Sequence, residues 1–200
     1  MALVVLNVAY PFTPVGLDAD HDAERAIAQV DAALVRAGHE SVVMACEGSI
    51  TEGILLATHA VSPGLDEAER QLIYDQYRFT LRKFLDKWPI DIIHMHGVDF
   101  YEYLPPPGIP VLVTLHSRLD LYPESVFHLG RPRTFLNCIS AGQRENCPAC
   151  GNLLPDVALD NGTPSSRIEQ YLMIYDRLVN DFRQAEAQVV GTAEVSLAAH

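Results

Sequence analysis

Apolar positions along the chain follow two alternating rhythms. Residues 3–9 form a short, nearly all-apolar run rich in Val and Leu, the pattern of a strand buried on both faces. A turn-rich stretch follows, Pro11-Phe12-Thr13-Pro14-Val15-Gly16, with Asp18, Asp20 and Asp22 behind it. The period then becomes helical. Ala23, Ala26, Ile27, Val30, Ala33, Leu34 and Ala37 share one face, and Gly38 stands where a helix C-cap belongs. Residues 40–46 read as a second strand, so the chain opens on one strand–helix–strand unit.

The alternation continues. Residues 54–57 are a weaker strand candidate. Residues 66–87 predict a helix with Ile73, Tyr77, Thr80, Leu81, Phe84 and Trp88 along its stripe. Strands are expected at 90–96, at 111–115 after a proline-rich loop, at 135–139 and, weakly, at 157–159. Apolar strands alternating with helices imply an α/β, doubly wound, Rossmann-like parallel sheet over residues 1–164. Residues 165–200 form a separate C-terminal segment. Ser166 and Glu169 make a capping box, and Ile168, Leu172, Tyr175, Val179 and Phe182 predict one long amphipathic helix over 165–186 that must pack on the domain or on a second copy. Residues 189–200 carry no clear period.

Charge narrows the function classes. Lys and Arg number 14 against 26 Asp and Glu, a formal net charge of −12. So acidic a domain repels phosphate backbones and anionic lipid, which argues against nucleic-acid and membrane-surface partners. No apolar run approaches the ~18 residues of a membrane span, and the N-terminus lacks a basic signal-peptide region. Four cysteines are too few for a disulfide scaffold, and a cytoplasmic protein is expected.

In a doubly wound sheet, ligands bind beyond the carboxyl ends of the strands. Three places put polar residues there. In the loop 11–22, the three aspartates oppose a phosphate and complement the dipole of the helix they precede. In Ile92-Ile93-His94-Met95-His96-Gly97, alternation puts both histidines on one side of a strand. They are either two ligands of a metal that still needs a third, or one packed histidine and one lining a cleft. In Thr114-Leu115-His116-Ser117, a histidine ends an apolar strand, where it serves either as a proton acceptor or as polar rim. Cys147-Pro148-Ala149-Cys150 is a single CxxC without the second pair of a zinc ribbon and reads as structural thiols. The dinucleotide, P-loop and nucleophile-elbow motifs do not occur.

Taken in order, Asn7 to Gly16 (NVAYPFTPVG), Ala23-Glu24, Arg36-Ala37-Gly38-His39-Glu40, PIDIIHMHG at 89–97, VLVTLH at 111–116, CIS at 138–140 and Asn161-Gly162 resemble the N-terminal domain of glycosyltransferase family 4. These are retaining enzymes built from two facing Rossmann-like domains, the GT-B fold. The resemblance implies transfer of a sugar from a nucleotide-sugar to an acceptor hydroxyl, with the N-terminal domain shaping the acceptor site. It implies His116 as the catalytic residue beside the transferred sugar. Gly16, His21, Asp22, His96 and Ser140 are the implied substrate-binding positions, with no metal and no cofactor.

Two departures qualify the resemblance. The family's Gly-Gly pair before Ala-Glu reads His21-Asp22 here, which puts side chains where bare backbone would approach a diphosphate. After Asn161-Gly162 the chain runs directly into a helix resembling the last helix of the full enzymes, so the nucleotide-sugar domain is expected to be missing from between them. The implied function is the acceptor-binding half of a retaining glycosyltransferase, inactive alone. Its partners would be a weakly held nucleotide-sugar donor, a hydroxyl acceptor, and either a second copy or a separate donor domain. The alternatives are a non-catalytic binding or assembly module on the same fold, and a complete small enzyme using His94, His96 and His116 with the acidic loop.

Overall fold

Among the described residues, seven strands join into one sheet: β1 (Val4–Val8), β2 (Glu40–Ala45), β3 (Ile54–Ala57), β4 (Ile92–Met95), β5 (Val111–Leu115), β6 (Thr134–Cys138) and β7 (Leu153–Ala158). Every pairing is parallel, and the order is β3-β2-β1-β4-β5-β6-β7. The computed structural model describes the backbone of residues 2–60, 64–158 and 164–197, and the side chains of residues 2–60, 64–155 and 168–188. The order reverses between β1 and β4, so the topological switch point lies there, as expected for a doubly wound sheet.

Among the described residues, four α-helices connect and cover the strands: α1 (Asp22–Arg36), α2 (Glu67–Leu85), α3 (Ala141–Glu145) and α4 (Pro164–Leu197). Strand alternation divides the core into two faces. Leu6, Val8, Val42, Met44, Ile93, Met95, Val111 and Val113 pack with Tyr74, Tyr77 and Leu81 of α2. Val5, Ile92 and Leu112 pack with Val30 and Leu34 of α1 and with Tyr171, Ile174, Tyr175, Leu178 and Val179 of α4. Asp66 caps α2 through a full capping box with Glu69. Asp31 of α1 is buried, accepts from the Ser41 hydroxyl at 2.6 Å and from the Glu52 and Gly53 amides, and so fixes the approach to β3.

The structure corrects three expectations. The last strand starts at Leu153 rather than 157. Pro155 and Asp156 interrupt the apolar run, which an edge strand tolerates because one side has no ladder to lose. The α2 stripe is centred on Tyr74, Tyr77 and Leu81, with Ile73, Thr80 and Phe84 only half-buried, because Tyr74 turns its hydroxyl inward to Asp99. Helix α4 begins at Pro164, so Ser166 falls inside its first turn, and it runs on to Leu197. Alanine and glutamate propagate a helix without needing an apolar period. Its buried stripe keeps Tyr175 and Val179 but leaves Ile168, Leu172 and Phe182 half-buried. Asn161-Gly162 lies outside the described residues.

Candidate functional site

A row of polar side chains crosses the otherwise apolar face beneath α4. Asn7 of β1 stands in register with His94 of β4, and Thr114 of β5 with Asn137 of β6; all four are buried. Buried polar groups are costly unless bonded. The row is bonded partly within itself and partly from above by α4. His94 Nδ1 lies 2.5 Å from the Tyr175 hydroxyl, and its Nε2 lies 2.8 Å from Thr114 Oγ1. Tyr171 Oη is 3.3 Å from Thr114 Oγ1, and Asn137 Nδ2 donates to that oxygen at 3.5 Å. A hydroxyl offers one donor and two acceptor positions, so these three partners saturate Thr114.

His96 and His116 complete the row at the carboxyl edge. His96 Nδ1 and His116 Nε2 are 3.0 Å apart, and the rings stack at 5.3 Å between centroids. His96 Nε2 reaches Asn7 Oδ1 at 3.3 Å. A carbonyl oxygen only accepts, so His96 Nε2 carries its proton and Nδ1 accepts from His116 Nε2–H. The His94 and His96 rings lie 3.8 Å apart. Burial pushes both pKa values well below the usual imidazole range, and the neighbouring histidines add to the effect. Both rings are neutral at pH 7.

The loop carrying His116 is clamped. Gln143 of α3 donates from Nε2 to the carbonyls of Leu115 and Ser117 at 2.9 and 2.8 Å, on either side of the histidine. Gly97 makes the turn after β4 possible, since a Cβ there would sit 1.9 Å from the Tyr103 hydroxyl and 2.9 Å from Asp99 Oδ1. Asp99 in turn accepts from Tyr74 and Tyr103 at 2.6 and 2.8 Å.

Between these loops opens a cleft of about 460 Å³, lined by His21, Asp22, Glu24, His96, His116 and Ser117 among others. His116 and Asp22 also line a smaller depression beside it, with Arg25 and Tyr171. The structure therefore brings His21, Asp22, His96 and His116 together at the switch point. Gly16 lies apart, in a neighbouring hollow between Asp18 and Ile50, and a Cβ there would meet nothing within 4 Å. Ser140 caps α3 by accepting from the Gln143 amide at 3.1 Å. Asp22 is exposed and paired with Arg25. Of the two readings of His94 and His96, the geometry matches one packed ring and one cleft ring. Among the described residues no group of three His, Cys, Asp or Glu could hold a metal ion.

Glu24 was not a sequence candidate for the site. It stands in the first turn of α1, is buried in the cleft wall, and its Oε2 has no hydrogen-bond partner among the described residues. Burial raises its pKa above the usual carboxylate range. Its trace in the sequence is the Ala23-Glu24 stretch of the family resemblance.

The profile of glycosyltransferase family 4 matches residues 23–143. That stretch contains Glu24, His96, His116 and Gln143, the residues that build and clamp the cleft. The chain belongs to glycosyltransferase family 4. The match begins at Ala23, just after the His21-Asp22 pair. Among curated proteins, none matches the chain. No helix among the described residues is long and apolar enough to cross a membrane.

Proposed function

We propose that this chain is the acceptor-binding half of a retaining, nucleotide-sugar-dependent glycosyltransferase, and that His116 is its catalytic residue. The observation that carries the reading is the His96–His116 pair at the switch point of a family 4 sheet. The clamped loop presents the His116 imidazole to a cleft with room for a hexose-sized acceptor. An acceptor hydroxyl held beside His116 in that cleft would have its oxygen oriented toward the anomeric carbon of the donor. Glu24 Oε2, buried in the cleft wall with no partner among the described residues, can accept a hydrogen bond from another hydroxyl of the same molecule.

The donor is held weakly in this reading. Asp18, Asp20, His21 and Asp22 are all exposed around the approach to α1, where a diphosphate would meet the helix N-terminus. Their carboxylates repel it, and a formal charge of −12 adds to the penalty. The described residues form one sheet, and a second wall for the donor must come from elsewhere, a separate donor domain or another chain. We place the protein in the cytoplasm, where nucleotide-sugars are available.

Chemical-shift mapping of backbone and histidine side-chain signals tests the site. A panel of simple sugars and polyols at millimolar concentration is expected to move His21, His116 and Ser117, and His116→Ala is expected to remove the response. Shifts confined to the hollow at Gly16 and Ile50 would contradict the assignment.

A further inference from the structure

The CxxC segment lies on the connection between α3 and β7, and Cys147 and Cys150 are beyond the residues the family profile matches. Three of the four cysteines converge there. The Cys147 thiol faces those of Cys138, the last residue of β6, and of Cys150. Cys138 is buried, whereas Cys147 and Cys150 are half-buried against the same core. A surface hollow lined by Cys150, His128, Arg131 and Asn152 opens this corner to solvent. The trio is not a ligand set: among the described residues no group of three such donors could hold a metal ion.

We propose that Cys147 and Cys150 are an oxidation site, forming a disulfide by exchange with a low-molecular-weight disulfide and so acting on the clamp at His116. One thiol, as its thiolate, attacks the small disulfide, forms a mixed disulfide and releases one small thiolate. The second protein thiolate then attacks the protein sulfur of that mixed disulfide and releases the other small thiolate. The protein loses two electrons and two protons, and one small disulfide becomes two small thiols.

The neighbouring structure gives the exchange its rate and its consequence. Burial pushes all three thiols up, Cys147 to about 12 with help from its neighbours. Little thiolate is present at neutral pH, so exchange is slow there and quickens with pH. The reduced pair gains nothing from a stabilised thiolate, so the disulfide resists reduction once formed. The Cys147 amide donates to the Arg144 carbonyl at the end of α3, and Gln143 beside it holds the two carbonyls flanking His116. Drawing the Cys147 sulfur from Cys138 to Cys150 pulls on the last turn of α3 and therefore on the clamp. That consequence bears on catalysis only under the glycosyltransferase reading above.

The full-length chain is incubated with glutathione disulfide at pH 7.0 and 8.5 and followed by intact mass, peptide mapping and the Gln143 side-chain amide signal. The expected result is loss of two hydrogens, a Cys147–Cys150 link, and a rate higher by about tenfold per pH unit. The Gln143 amide signal moves with the same time course. Cys150→Ser is expected to stop at a mixed disulfide or remain unmodified. The proposal is overturned by an unchanged native mass, by a link between other cysteines, by a Gln143 signal that stays in place on oxidation, or by stoichiometric zinc in the purified chain. These readouts involve no sugar, so their failure is separate from that of the functional reading.

Discussion

A buried imidazole is expensive to charge, and two of them share the centre of this molecule. His94 and His96 have pKa values well below that of a free histidine, chiefly from burial. When the folded value is depressed, the unfolded chain takes up protons first as pH falls. Stability is then present above about pH 6.5 and is lost below it, by up to ~1.4 kcal/mol per pH unit for each histidine. Glu24 and Asp99, shifted upward by burial, act in the opposite sense at acid pH. Comparison with a variant isolates the histidine contribution. Denaturant unfolding between pH 7.5 and 5 is expected to give a steeper loss for the parent than for His94→Gln; equal slopes would contradict the buried neutral ring. Gly97 carries a second residue-scale expectation. A methyl group there meets the Tyr103 hydroxyl, so Gly97→Ala should cost about 2–3 kcal/mol in the same assay. A cost below ~0.5 kcal/mol would show that the turn relaxes.

Among the elements, α4 decides whether the polar row is tolerated. It supplies the hydroxyls of Tyr171 and Tyr175 to the row, and Arg183 pairs with Asp91 at 2.5 Å just before β4. Tyr175→Phe keeps the packing but leaves a buried nitrogen of His94 unpaired, which should cost about 1–3 kcal/mol. Thermal unfolding with a negligible change would mean that the hydroxyl bond is not needed. The sequence made the helices and central strands legible because their apolar periods are strong. It hid β7 behind Pro155 and Asp156, and the length of α4 behind an aperiodic tail. His96 and His116 were legible from their positions at strand ends. Asn7, Thr114 and Asn137 were not, because a single polar residue inside an apolar strand carries no period, and their partners are distant in sequence: His96 for Asn7, Thr114 for Asn137, and His94 and Tyr171 for Thr114. Glu24 was hidden because the burial of an acid in the first turn of a helix is set by tertiary packing and leaves no period in the sequence.

For the whole molecule, the switch point sets the site and the charge sets what can occupy it. The parallel sheet brings the ends of β1, β4 and β5 together, and the family match covers the residues clamped there. An acceptor of neutral hydroxyls suits a cleft lined by His21, His96 and His116 with Asp22 and Glu24, whereas a diphosphate does not. A ligand gripped on one side also keeps much of its surface in water, where good sites bury roughly 70–90% of it. Calorimetric titration of the chain with a panel of nucleoside-diphosphate sugars at moderate salt tests this most directly. The account predicts no measurable heat or a dissociation constant no tighter than about 1 mM, which corresponds to about −4 kcal/mol. A low-micromolar dissociation constant for any of them would contradict the acceptor-half reading and make this chain a donor-binding enzyme in its own right.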